Sequence, residues 1–132
     1  MTQKKLLLAE DDIDDQVLFK NFLDHRDDII IMDVAENGVE LIDSLEKIAN
    51  DDSLPDLIVL DQNMPKRNGL QTLRLLKENG RYNHIPVMVY STYTDTTLIK
   101  DSTDLGASLV VAKPISKDGY DKMIDDFLGV LA

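Results

Sequence analysis

Short apolar runs alternate with amphipathic segments along the whole chain. Each run has four to six residues and is apolar at both alternating positions, which is typical of strands buried on both faces of a parallel sheet. The runs cover residues 6–9, 29–32, 57–60, 85–90 and 109–112. The sequence therefore predicts five buried strands.

Segments with apolar residues three and four positions apart lie between and after these runs. Four of them are found near 18–23, 39–48, 70–76 and 120–131, and a fifth, 95–105, is rich in Ser and Thr and should be the least stable helix. Strands alternating with helices predict an α/β fold: a doubly wound, five-stranded parallel sheet with right-handed crossovers and five helices. We expect one domain over residues 1–132, with no room for an output domain.

The composition limits the classes of partner. The 132 residues are 43% hydrophobic and 30% charged, which is a globular balance. The net charge of −11 disfavours direct binding to nucleic acid or to an anionic membrane surface. No cysteine is present, so thiol catalysis and cysteine-held metals are excluded. The apolar stretch at the start of the chain is too short for a signal peptide, and no apolar run reaches the ~18 residues of a membrane span. A cytoplasmic protein is expected.

Candidate chemistry follows the apolar runs. In an open α/β sheet, ligands bind at the carboxyl ends of the strands, so the residues directly after each run are the ones to inspect. These are Glu10-Asp11-Asp12, Asp33, Asp61-Gln62-Asn63, Ser91-Thr92 and Lys113-Pro114.

Acidic residues are concentrated after the first run. Asp12, Asp14 and Asp15 are explained by the start of a helix, where negative charge is favoured. Glu10 and Asp11 precede that helix and would lie beside Asp61 of a neighbouring strand. Three carboxylates so close are costly unless one is protonated or a cation joins them, and Mg²⁺ or Mn²⁺ prefers such oxygen ligands.

The remaining candidates have ordinary explanations when taken singly. Asp61 alone would be a turn residue after a strand. Ser91 alone would be a capping or loop hydroxyl, and Lys113 alone an exposed lysine. A cis bond between Lys113 and Pro114 would aim the lysine side chain sharply. Their joint placement at the strand ends is what favours a site.

Four motifs in order resemble one known family. They lie at 8–12, at 56–65 with Gly69, at 85–91, and at 105–108 leading to Lys113-Pro114. Over essentially its whole length the chain resembles the receiver domain of two-component response regulators. The resemblance implies a flavodoxin-like fold with strand order 2-1-3-4-5.

The resemblance also implies roles for the candidate residues. Asp61 would accept a phosphoryl group from a histidine kinase or a histidine phosphotransfer protein, in a reaction that needs Mg²⁺. It assigns the metal site to Glu10, Asp11, Asp61 and Asn63, and the phosphoryl contacts to Ser91 and Lys113. The phosphorylated chain would change conformation around 95–105 and signal to a downstream protein, and receivers of this kind often form homodimers.

Some details differ from the family pattern. Val110 stands where many members carry an aromatic switch residue, so an aromatic swing at that position is not available. We expect Tyr93 to lie over the mouth of the pocket and to slow hydrolysis of the phosphoryl group. The Asp-rich start of the first helix and the long second loop resemble small stand-alone receivers paired with phytochrome-type kinases.

Three other functions are weighed against this one. A metal-dependent phosphohydrolase with an Asp nucleophile usually has a second acid two residues later, where this chain has Asn63. A flavodoxin-like cofactor binder would need a Ser/Thr/Gly phosphate loop after the first strand, and the acidic Glu10-Asp11-Asp12 opposes it. A degenerate receiver would lack part of the site, yet Asp11, Asp61, Ser91 and Lys113 are all present. The sequence thus favours a phosphorylation-dependent switch rather than an enzyme.

Overall fold

Five parallel strands form one sheet in the computed structural model, which describes residues 3–131. They are β1 (Lys4–Ala9), β2 (Ile29–Ala35), β3 (Leu57–Asp61), β4 (Val87–Ser91) and β5 (Leu109–Ala112). Their order is β2-β1-β3-β4-β5, and every neighbouring pair is parallel. The predicted flavodoxin-like fold and strand order are confirmed.

A helix overlaps each predicted amphipathic segment. The helices are α1 (Ile13–Leu23), α2 (Gly38–Glu46), α3 (Gly69–Glu78), α4 (Thr96–Asp104) and α5 (Lys117–Gly129), and a 3-10 turn covers Asp51–Ser53. All five begin in the same way, with a side-chain oxygen of the preceding residue accepting a backbone N–H of the first turn. These capping residues are Asp12, Asn37, Asn68, Asp95 and Ser116.

Two apolar layers cover the two faces of the sheet. On one face α1 and α5 bury Phe19, Leu23, Tyr120, Ile124 and Phe127 against the strands. On the other face α2 and α3 do the same with Leu41, Leu45, Leu73 and Leu76, while α4 packs against β5 and α3. The central strands β3 and β4 are buried throughout. Their carboxyl ends are therefore held rigidly from both sides.

The two edge strands depart from the prediction. We expected all five strands to be buried on both faces, but β2 and β5 are only partly buried, and Ile30 of β2 is exposed. The apolar run 29–32 also fails to mark the end of β2, which continues to Ala35. Asp33 is therefore an exposed residue within the strand, not one at its carboxyl end, and the placement of Asp33 among the candidate site residues is wrong.

Candidate functional site

The alternation of side chains along four strands sets which layer each site residue joins. Leu8 of β1, Val59 of β3, Met88 of β4 and Val111 of β5 all pack in the layer of α1 and α5. The residues two positions later therefore project to the same side, at the carboxyl end of the sheet. These are Glu10, Asp61, Tyr90 and Lys113.

Three carboxylates meet at this end of the sheet. Glu10, Asp11 and Asp61 each place one oxygen within 4.8 Å of the other two. Glu10 is fully buried and Asp61 is 2% exposed, whereas Asp11 is open to solvent. Burial, together with the neighbouring Glu10 carboxylate, raises the pKa of Asp61 to about 8. The arrangement favours a cation, and its hard oxygen donors fit Mg²⁺ or Mn²⁺.

Lys113 is the basic group of the site. Its Nζ lies 2.9 Å from Glu10 Oε1, 2.8 Å from Asp15 Oδ2 and 3.4 Å from Asp61 Oδ1. Burial alone would lower the pKa of Lys113, but the carboxylates of Asp15 and Glu10 outweigh it and raise that pKa. The peptide bond before Pro114 is trans, as are all others between residues 3 and 131, so the suggested cis geometry is wrong. Lys113 is aimed by its carboxylate partners instead.

The Glu10 side chain is held by several donors. The Tyr90 hydroxyl donates to Oε1 at 2.5 Å, and the backbone N–H of Asp12 donates to Oε2 at 3.2 Å. The main chain of the same residue is also held, because Gln16 Nε2 donates to the backbone carbonyl of Glu10 at 2.6 Å. Sequence reasoning missed Tyr90, which was counted only as an apolar strand residue, and Asp15, which was explained as helix-start charge.

The loop after β3 presents Asn63 beside Asp61. Its backbone N–H points at Asp61 Oδ1 from 3.4 Å, and the residue is exposed. The loop turns back through Lys66, whose φ of 65° is left-handed. It then docks at Gly69, where a Cβ would stand 2.7 Å from the Asp61 carbonyl oxygen. Only glycine permits this close return of α3 to the end of β3.

Ser91 lies on the other side of the sheet from Tyr90, its neighbour in β4. It is 1% exposed, and its carbonyl accepts the Lys113 backbone N–H at 2.9 Å. Ser91 lines a cleft together with Asn63, Tyr93 and Leu98. Tyr93 stands at the rim of this cleft but is 81% exposed, so it leaves the mouth open. Its shielding of a phosphoryl group stays a prediction.

Val110 occupies a half-buried position in β5 beside the α2 and α3 layer. Within residues 3–131, no helix is both long enough and apolar enough to cross a membrane.

Comparisons with known proteins agree with this architecture. Solved structures similar to this chain include the Mn²⁺-bound form of the response regulator Rcp1, at 28% identity and a TM-score of 0.75 over 93% of this chain and 90% of that one. Another is the phosphorylated cyanobacterial phytochrome response regulator RcpA, at 27% identity and a TM-score of 0.82 over 99% and 97% of the two chains.

Curated relatives are longer proteins. A protein-glutamate methylesterase/protein-glutamine glutaminase of Trichodesmium erythraeum is 28% identical over 127 residues, which are 95% of this chain and 34% of that protein. The transcriptional regulatory protein YdfI of Bacillus subtilis is 29% identical over 117 residues, 86% of this chain and 50% of that protein. The chain thus spans between a third and a half of the length of these relatives. The family model for the response regulator receiver domain matches residues 6–125, and the chain belongs to that family.

Proposed function

We propose that this chain accepts a phosphoryl group on the Asp61 carboxylate and works as a phosphorylation-dependent switch. One observation carries the proposal: a nearly buried carboxylate lies with two others within 4.8 Å and with a lysine ammonium 3.4 Å away. Such a group is poised to attack an anionic phosphoryl group only where positive charge offsets the repulsion.

The residues present would hold a divalent cation. Asp11 and Asp61 would ligate it through carboxylate oxygens and Asn63 through its backbone carbonyl, while Glu10 would act through a bound water. When bound, Mg²⁺ would offset the charge of the carboxylates and of the incoming phosphoryl oxygens. That the similar chain Rcp1 has been solved in a Mn²⁺-bound form supports a divalent cation in this fold.

The transfer itself needs few groups. An Asp61 oxygen forms the new bond to phosphorus while the bond from phosphorus to the donor histidine nitrogen breaks, and that nitrogen keeps the electron pair. The donor would be a sensor histidine kinase or a histidine phosphotransfer protein, which this chain would meet in the cytoplasm. Lys113 and Ser91 would then each contact a phosphoryl oxygen. The modification adds about −1.5 to −2 charge, which both residues can respond to by moving.

We infer a switch rather than an enzyme that acts on other molecules. Asn63 stands two residues after Asp61, so no carboxylic acid is available there to activate water. The phosphorylated surface would signal by contact with a downstream protein. The RcpA structure, which is phosphorylated, is consistent with this reading.

The test is incubation of the purified protein with Mg²⁺ and acetyl phosphate, followed by intact mass spectrometry. We expect the mass of one added phosphoryl group on the wild-type protein and none on Asp61→Asn. Asp33→Asn, which removes an exposed strand carboxylate, is the matched control and should label like the wild type. An unlabelled wild-type protein, or equal labelling of Asp61→Asn, would refute the proposal.

A further inference from the structure

The hydroxyl of Tyr90 donates a hydrogen bond to the Glu10 carboxylate. It lies 2.5 Å from Oε1, and both side chains are buried. The Lys113 ammonium lies 2.9 Å from the same oxygen, and Oε2 accepts the backbone N–H of Asp12 at 3.2 Å. Two different kinds of donor therefore share Oε1.

The Tyr90 ring is fixed from several directions. Tyr90 lies opposite Asp61 in the pairing of β3 with β4. Its ring meets the edge of Phe19 at 5.9 Å and 82°, and the Lys113 Nζ stands 5.1 Å from the ring centre. The ring thus contacts one charged group of the site while its hydroxyl contacts another. A side chain held in this way leaves its hydroxyl little freedom to turn aside.

We propose that Tyr90 is a positioning residue for the divalent cation, holding the Glu10 carboxylate in the orientation that the metal site needs. This inference rests on the proposed function. A cation at the three carboxylates repels the Lys113 ammonium, and a phosphoryl group on Asp61 attracts it. Both the repulsion by the cation and the attraction by the phosphoryl group move the Lys113 ammonium away from Glu10 Oε1. Tyr90 carries no charge and stays, so Glu10 keeps a donor while the site is loaded.

The protonation state of Tyr90 agrees with this role. Burial and the Glu10 carboxylate raise the pKa of the phenol, so it remains a donor at all ordinary pH values. Donors that orient a ligand carboxylate without touching the metal typically change metal affinity about 10- to 100-fold when they are removed.

The experiment compares Tyr90→Phe with Tyr120→Phe in the full chain. Tyr120 is buried in the same aromatic cluster, with its ring 5.8 Å from Phe19, and within residues 3–131 its hydroxyl makes no hydrogen bond to Glu10. Free Mn²⁺ is measured by electron paramagnetic resonance during titration of each protein without phosphodonor. We expect Tyr90→Phe to bind Mn²⁺ about tenfold more weakly. Tyr120→Phe should match the wild type.

A spectroscopic readout separates positioning from a loss of packing. Adding Mn²⁺ should perturb the near-ultraviolet tyrosine absorption of the wild-type and Tyr120→Phe proteins, and this difference band should be missing from Tyr90→Phe. Wild-type Mn²⁺ affinity in Tyr90→Phe, or an unchanged difference band, overturns the inference. Labelling of wild-type Asp61 by acetyl phosphate is scored separately. A wild-type protein that labels while Tyr90→Phe binds Mn²⁺ normally refutes the role of Tyr90 alone, and an unlabelled wild-type protein refutes the proposed function.

Discussion

Replacing Asp61 by Asn should stabilise the metal-free protein. The Asp61 carboxyl is 2% exposed and lies beside the buried Glu10 carboxylate, while Lys113 compensates only in part from 3.4 Å. Asparagine has nearly the same shape but cannot ionise. The substitution therefore removes a desolvated group that resists ionisation and leaves the surrounding packing in place.

The magnitude follows from the shift in pKa. The pKa of Asp61 rises from 3.8 to about 8 on folding. Between these values the unfolded chain has lost the proton that the folded chain keeps, so folding takes up a proton. The associated stability is fully present below pH 3.8 and is lost as the pH rises through 8, at about 1.4 kcal/mol per pH unit. At pH 7 the loss approaches roughly 4 kcal/mol; the attraction to Lys113 is already part of this pKa shift, so we expect Asp61→Asn to gain up to about 4 kcal/mol in the free energy of unfolding.

Urea unfolding at several pH values measures this directly. Circular dichroism is the suitable signal because the chain has no tryptophan, and a chelator keeps divalent cations away. The free energy of unfolding of Asp61→Asn should exceed that of the wild type by little at pH 4 and by most at pH 8, whereas Asp33→Asn should track the wild type. Added Mg²⁺ should reduce the difference in free energy of unfolding between Asp61→Asn and the wild type, because it stabilises the wild-type site. A difference that is the same at all pH values, or an Asp61→Asn protein that is less stable at pH 8, would show that the carboxylate is not destabilising.

Three further predictions concern charge and exposure around the fold. Lys113→Ala leaves buried carboxylates without their cation, so urea unfolding without metal should show a free energy of unfolding about 3–5 kcal/mol below that of the wild type. Added Mg²⁺ should restore part of this difference. Equal stability of the two proteins in the absence of metal would contradict the prediction. Tyr93→Ala should shorten the lifetime of phosphorylated Asp61 if Tyr93 closes over the cleft, and an unchanged decay of the labelled mass would exclude that shielding. Arg26 bridges Asp28 and Asp125 at 2.8 and 2.7 Å and holds the pKa of Asp28 below its usual value. That stability is present at neutral pH and is lost as the pH falls through the lowered value. Arg26→Ala should therefore lower the urea midpoint at pH 7 more than at pH 3, and should leave acetyl phosphate labelling unchanged; a loss of labelling would place Arg26 in the site.

The pattern of apolar residues along the sequence was sufficient to predict where the central strands end, but it was insufficient for the edge strand β2. The runs that became β1, β3 and β4 are buried on both sides, so the end of each run marks the end of its strand to within one residue, and the first polar residue marks the site. β2 has a neighbour on one side only and tolerates the exposed Asp33 in its middle. The same apolar run therefore ended before the strand did.

The metal carboxylates were predictable, but their supporting contacts were not. Glu10, Asp11 and Asp61 follow the strand ends, and the fold alone brings them together. Tyr90 and Glu10 are 80 positions apart, and Lys113 and Asp15 are 98 apart. The spacing of residues along the sequence does not predict either contact, because both contacts depend on the face of the sheet to which each side chain projects. A buried tyrosine hydroxyl nevertheless calls for a partner, and this was the available signal for Tyr90.

Because β4 is pleated, consecutive side chains at its carboxyl end project to opposite faces of the sheet. Tyr90 enters the layer of α1 and α5, while Ser91, the next residue, opens on the cleft that Leu98 of α4 also lines. A displacement of Lys113 breaks its ion pair with Asp15 and so changes the contacts of α1, whereas a displacement of Ser91 changes the contacts of α4. Under the proposed function, phosphorylation of Asp61 would therefore change opposite surfaces of the molecule, so that a phosphoryl donor and a downstream protein would not need the same face.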